Sequence, residues 1–234
     1  LVGSEMCIRD RYFSNESLQA MVAKFIGIPL QYNDMLDIGY AVENFYKKNN
    51  HLARVMLTQQ DVTEGILTLD VIESKLSKVT VDQQLSAMPN TQAHLLALIE
   101  QQHPTGSTFN ADQVDRALAL ANEVPGVSVS GALKEGGELG ETELILKLYQ
   151  NHGRQAELVV DNIGSRSTGA ERVMGNATFL NPTDRGDSLS ISSILTRGSE
   201  YFRGAYSLPI GLDGWRLGLN GSAMDYKVVV GDQV

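Results

Sequence analysis

Four histidines, His51, His94, His103 and His152, are the side chains best suited to ligate a transition metal or carry a proton. Helical zinc sites set two histidines four residues apart, as in H-E-x-x-H. No such pair and no such motif stands in the chain, so ordinary surface or helix histidines are expected. Gly136-Gly137-Glu138-Leu139-Gly140 has the glycine density of a phosphate cradle. It lacks a following Lys-Ser/Thr, and acids flank it, which opposes anion binding. A strand-connecting turn is the expectation there. Asp161-Asn162, with Glu157 and Glu171, offers oxygens to calcium, but no D-x-D-x-D-G loop is present and a solvated turn fits better. The serine-rich stretches contain no G-x-S-x-G. We therefore expect no catalytic residue, no metal and no cofactor.

The bulk properties narrow the classes further. A net charge of −9 argues against nucleic acid as a partner, because phosphate binding wants a basic surface. The 234 residues, 42% of them hydrophobic, can bury a core in one large domain or two to three small ones. No stretch approaches the length of an apolar helical span, which leaves barrel strands open, since those alternate instead. The opening residues Met6-Cys7-Ile8-Arg9-Asp10-Arg11 resemble the translation of a transposon end used in sequencing libraries. Residues 1–11 are therefore expected to be adapter read-through, with the upstream part of the protein, signal peptide included, missing. Cys7, the one cysteine, falls in that segment, so no disulfide, zinc or thiol nucleophile is expected in the rest.

The elements that would position any site change character near residue 150. Residues 17–27 carry a helical stripe (Leu18, Met21, Val22, Phe25, Ile26), and residues 32–50 a second one (Leu36, Tyr40, Val42, Phe45, Tyr46). A short strand over 53–57, a polar turn over 59–65 and an alternating strand over 66–72 follow. A strand ahead of the first helix is expected to be cut off or distorted. The order then recurs: a strand over 79–81, helices over 92–102 and 112–123, a strand over 127–133, a Gly-rich turn over 135–140 and a strand over 143–148. Pro125-Gly126 breaks the second of those helices. The reading is a strand–helix–helix–strand–strand unit used twice.

From Gln155 onward the chain reads as hairpins. In residues 215–223, Trp215, Leu217, Leu219, Gly221 and Ala223 fall on one face, and Arg216, Gly218, Asn220 and Ser222 on the other. Residues 187–195 alternate likewise, and turn residues occupy 163–169, 181–186 and 211–214. Such strands suit a lipid-facing barrel with a wet lumen or a soluble sandwich with one exposed face.

Four stretches carry a family resemblance. They are Arg54-Val55-Met56-Leu57-Thr58-Gln59-Gln60-Asp61-Val62-Thr63-Glu64-Gly65 running into Val71-Ile72-Glu73; Asp115-Arg116-Ala117-Leu118 to Pro125-Gly126-Val127, with Gly136 and Gly140 ahead of Glu143-Leu144; Asp161-Asn162-Ile163-Gly164-Ser165 with Thr168-Gly169; and Leu180-Asn181-Pro182 with Gly186-Asp187 and Tyr206-Ser207-Leu208-Pro209. In this order and spacing they resemble the two-partner secretion transporters of the haemolysin secretion/activation family. Thr58, Ser74 and Asn50-His51 depart from its usual residues. Tyr201-Phe202-Arg203-Gly204 only echoes, in the wrong place, a luminal-loop motif expected farther along.

The resemblance implies an α+β chain: two POTRA-like βααββ domains over 12–74 (its N-terminus incomplete) and 75–150, then the first antiparallel strands of a truncated outer-membrane β-barrel over 151–234. It implies a transporter, not an enzyme, in the bacterial outer membrane with its POTRA domains in the periplasm. The partner would be a secreted exoprotein of haemolysin or adhesin type, received unfolded. Lipid would surround a monomeric barrel. In POTRA folds the free edge is typically the second strand of a unit, which points to Arg54, Val55, Met56 and Leu57, and to Val127, Val129, Gly131 and Leu133, as edges where a client strand could pair. Arg216, Asn220 and Ser222 would face the lumen. A barrel-assembly factor of the same superfamily and a soluble periplasmic binding or scaffold module are the other readings. About eleven further amphipathic strands beyond residue 234 would separate the transporter from the module.

Overall fold

The computed structural model describes residues 5–9, 12–60, 66–81, 88–151 and 153–229. Ser14 opens helix α1 (Asn15–Val22) by accepting the Ser17 N–H on its hydroxyl. A 3-10 turn over Ala23–Phe25 and Gly27, at φ +79°, close it, so only the first part of the stripe read over 17–27 runs as α-helix. Helix α2 (Tyr32–Lys48) starts on a capping box in which the Gln31 N–H donates to Asp34. Its buried Ile38, Val42 and Tyr46 repeat every four residues on one face. That face meets Leu67, Leu69 and Val71, alternate residues of a strand, together with Leu18 and Val22 of α1. Each fully buried Leu or Val contributes about 1.5–3 kcal/mol relative to exposure.

Strand β1 (Glu5–Arg9) lies parallel to β3 (Ile66–Glu73), and β2 (Ala53–Met56) lies antiparallel to β3 on its other side, giving the order β1–β3–β2. The first strand expected to be cut off or distorted is present, and residues of the 1–11 segment form it. The turn expected over 59–65 is described only to Gln60; residues 61–65 lie outside the described residues. The Gln60 amide supplies what a longer β2 would supply: its Oε1 accepts the Thr68 N–H at 2.7 Å and its Nε2 donates to the Thr68 carbonyl at 2.8 Å.

The second repeat has the same build. β4 (Lys75–Val81), α3 (Pro89–Gln102), α4 (Ala111–Asn122), β5 (Val127–Glu135) and β6 (Glu141–Gln150) give the sheet order β4–β6–β5, with β4 parallel to β6. β4 is longer than the strand read over 79–81, and a register shift between Leu76 and Lys78 kinks it. β5 and β6 are also longer than read. The residues left between them form the turn in which Gly140 takes φ +84°. A Cβ there would sit 2.7 Å from Ile72 Cγ2, so this position needs glycine on two counts.

β7 (Arg154–Asp161), β8 (Arg172–Leu180), β9 (Ser188–Thr196), β10 (Ser199–Ile210) and β11 (Trp215–Tyr226) form one sheet in sequence order, each pair antiparallel. Two compact units divide the chain: one holds residues 1–81, 102–117 and 131–146, the other 82–101, 118–130 and 147–234.

Candidate functional site

The register of the five-strand sheet extends the alternation read in β11 across every strand. Trp215, Leu217 and Leu219 stand opposite Ile210, Leu208 and Tyr206 of β10. The same face continues through Leu189, Ile191 and Leu195, then Val173 and Phe179, then Leu158 and Val160. Most of these side chains are exposed, Trp215 to 75%, Leu158 to 72% and Leu219 to 68%, while Phe179, Leu189, Tyr206 and Leu208 are half-buried. The opposite face is the more polar one, although one row across it, Val159, Met174, Ile194, Tyr201 and Met224, is apolar. One row crosses all five strands as Glu157, Asn176, Ser192, Arg203 and Ser222. Asn220 lies in the next row, opposite Ala205, and Arg216 lies opposite Pro209 at the end of the sheet. Arg216 Nη2 donates to the Gly186 carbonyl at 2.9 Å and to Ser207 Oγ at 3.2 Å. Arg216, Asn220 and Ser222 thus share one polar face.

Two turns at that end of the sheet fasten helix α3. In the β8–β9 turn, Asp184 Oδ2 accepts the Asn90 N–H at 2.9 Å, and Oδ1 accepts the Thr91 N–H at 3.2 Å and the Thr91 hydroxyl at 2.6 Å. This is an N-cap supplied from 93 residues away, where the helix end also favours negative charge. Burial raises the Asp184 carboxyl, but the hydrogen bonds from Thr91 and Asn90 outweigh it and leave the group below its ordinary 3.8. Asn181 Nδ2 donates to Thr91 Oγ1 at 2.8 Å, and Asn181 Oδ1 accepts the Gly186 N–H at 2.7 Å. At the other end of α3, Gln101 Nε2 donates to Asp213 of the β10–β11 turn at 2.8 Å. Gly214 lies so close to Leu120 that a Cβ would come within 2.7 Å of its Cδ2. None of the partners of α3 announces itself in sequence, because each of these bonds to the helix joins residues ninety or more positions apart.

The two edge strands are as the repeat requires: β2 and β5 each end a sheet. Backbone groups alternate along an edge strand between the ladder and the outside. In β2 the Leu52 carbonyl accepts from Ser74, so Arg54 and Met56 turn toward β3 while Ala53 and Val55 turn outward. Leu57 lies just past the end of the strand. In β5 the Gly126 carbonyl accepts from Asn151 and the Gly136 N–H donates to Glu141, which turns the odd-numbered set Val127, Val129, Gly131 and Leu133 outward. The outward groups are not all open. The Val55 N–H donates to Glu43 Oε1 at 2.8 Å. The Val129 N–H donates to Asn122 Oδ1 at 2.9 Å, and the Val129 carbonyl accepts from Asn122 Nδ2 at 2.8 Å. The Val127 N–H donates to the Val124 carbonyl at 3.3 Å. The Arg54 guanidinium meets Glu135 at 2.6 Å in an exposed pair.

Three of the residues weighed for other chemistry, His51, His103 and Asp161, have structural partners. His51 is buried with Nδ1 2.9 Å from the Phe109 carbonyl. His103 is fully buried; its Nε2 accepts the Asn110 N–H at 2.9 Å, so its Nδ1 carries the proton toward Ser107 Oγ at 3.1 Å. These two are core histidines outside any helix, where ordinary surface or helix histidines are expected. His94 on α3 is held below its usual range by burial, and His152 lies outside the described residues. Asp161 accepts from Arg172 Nε at 2.7 Å and from the Ile163 N–H at 3.1 Å.

The chain has clear relatives. The profile described as "Haemolysin secretion/activation protein ShlB/FhaC/HecB" matches residues 140–234, and that described as "POTRA domain, ShlB-type" matches residues 9–74. The heme/hemopexin transporter protein HuxB of Haemophilus influenzae is 22% identical over 222 residues, covering 91% of this chain and 38% of that protein. The outer membrane transporter CdiB of Dickeya dadantii is 22% identical over 240 residues, covering 97% of this chain and 41% of that protein. Among solved structures, CdiB from Escherichia coli superposes with a TM-score of 0.70 at 18% identity, over 94% of this chain and 45% of that one. BamA from Haemophilus ducreyi lacking POTRA domains 1-3 gives 0.55 at 16% identity, over 98% of this chain and 43% of that one. The chain spans less than half the length of these relatives.

Proposed function

We propose, for a chain that belongs by both of its matched segments to the haemolysin secretion/activation family, that it is part of an outer-membrane transporter of a two-partner secretion system. Two POTRA domains, over 12–74 and 75–150, receive an unfolded exoprotein in the periplasm, and the strands of 151–234 begin the barrel through which it leaves. The observation that carries this reading is the two-faced sheet, whose exposed apolar side suits lipid and whose polar side suits a wet lumen. Arg216, Asn220 and Ser222 face that lumen. The edges at Arg54–Leu57 and Val127–Leu133 receive the client, its main chain pairing with the outward groups. Translocation needs no catalytic residue, metal or cofactor, and nucleic acid is not a partner. One monomer forms one barrel.

Thiol labelling tests the faces in the full-length transporter. Asn220→Cys reacts with a membrane-impermeant maleimide and Leu219→Cys does not; the reverse pattern sinks the assignment. Secretion of the partner into culture supernatant, lost on deletion of the gene and restored by it, tests the transport role itself.

A further inference from the structure

Both edge strands carry the same unexpected device. In each repeat the second helix sends one polar side chain onto the outward backbone of the following edge strand: Glu43 of α2 onto Val55 of β2, and Asn122 of α4 onto Val129 of β5. The Asn122 contact is complete. Its amide offers an acceptor to the Val129 N–H and a donor to the Val129 carbonyl, the pair of bonds that a residue of a neighbouring strand would make. The remaining amide hydrogen goes to the Leu118 carbonyl at 2.8 Å, so the side chain has no unmet group. Asn122 is itself exposed, as a group that must leave would have to be, while the Val129 side chain is buried and holds the strand in place. Beyond the guard, Ser130 to Glu135 run exposed along the same edge.

We infer that strand addition at these edges is competitive: Asn122 over β5 and Glu43 over β2 occupy the backbone groups a client strand would use, and a client pairs only by displacing them. This rests on the reading of the edges as the client-binding surface. Displacement exchanges each guard bond for a strand bond and returns the guard to water. It therefore taxes affinity and screens out segments that pair too briefly to complete a ladder. It also blunts the edge against pairing with other copies, the hazard every open edge carries. Asn122 guards more strongly than Glu43, since it covers both the donor and the acceptor of its residue. The occupant is an extended peptide recognised through its main chain.

The test uses the full-length transporter in detergent micelles and a fluorescent ten-residue peptide of alternating valine and threonine. A twin peptide, N-methylated at every second residue, cannot donate along one side. Asn122→Ala is expected to tighten binding of the first peptide about tenfold, the factor that 1.4 kcal/mol represents, and to leave the twin unchanged. Glu43→Ala tightens it by a smaller factor. Asn122→Asp retains an acceptor for the Val129 N–H but cannot donate to its carbonyl, so it falls between the parent and Asn122→Ala and decides the matter should the alanine variant fail to fold. Equal or weaker binding in folded Asn122→Ala, or in Asn122→Asp if only that variant folds, overturns the inference, as does equal tightening with the methylated twin. Secretion of the partner is scored separately. Loss of the transport reading leaves the peptide result standing, and normal secretion with unchanged peptide affinity removes the guards alone.

Discussion

At the scale of single residues, the chain is governed by positions that tolerate one side chain. Gly140 combines φ +84° with a close approach to Ile72. Gly140→Ala should destabilise the protein by about 1–2 kcal/mol from the left-handed backbone alone, more if Ile72 cannot yield, and read as a lowered thermal midpoint. An unchanged midpoint would mean the turn relaxes freely. The turn read over 135–140 from its glycines occupies 136–140, since Glu135 still belongs to β5. The burial of His51 and His103 did not show in their spacing, because it depends on the carbonyl of Phe109 and the N–H of Asn110 folding over them. A histidine's neighbours in space decide its role, and periodicity says little about them.

Elements were more legible than the bonds between them. The repeated βααββ order follows from alternations such as Leu67, Leu69 and Val71 and from helical stripes, although the stripe read as Leu36, Tyr40, Val42, Phe45 and Tyr46 is turned from the true face: Ile38 is buried with Val42 and Tyr46, and Tyr40 is exposed. Boundaries slipped where backbone geometry rather than side-chain pattern rules, as at the early start of β4 and the 3-10 end of α1. The cap on α3 was out of reach, since Asp184 sits in a turn that reads as a turn and nothing more. Asp184→Ala should cost about 0.5–2 kcal/mol, the usual range for a lost N-cap, measured as faster amide exchange in the first turn of α3. Unaltered exchange there would show the cap to be incidental. The acid dependence has a definite sign. The folded carboxyl lies below its ordinary 3.8, so its contribution is present above that value and lost as pH falls through the folded value. The gap in stability between the parent and Asp184→Asn should narrow once the pH falls below about 4.

At the scale of the whole molecule, β7 and β11 are the outer strands of the five-strand sheet, and among the described residues no strand pairs with their outer edges. Unpaired backbone groups in lipid cost several kcal/mol each. Residues 151–234 alone should therefore not insert into detergent as a stable barrel; heat-modifiable migration and protease resistance of that fragment would contradict this. The fastening of α3 between Asp184 and Asp213 has a further consequence, for recombination between relatives. The piece that can pass intact from one protein to another is not the second repeat as the sequence divides it. A crossover near residue 150 parts α3 from both turns that hold it, so a hybrid must inherit helix and turns from one parent. Genes of this type should exchange such segments only in pairs, and a chimera that swaps 75–150 alone should recover function when residues 181–187 and 211–214 are swapped with it.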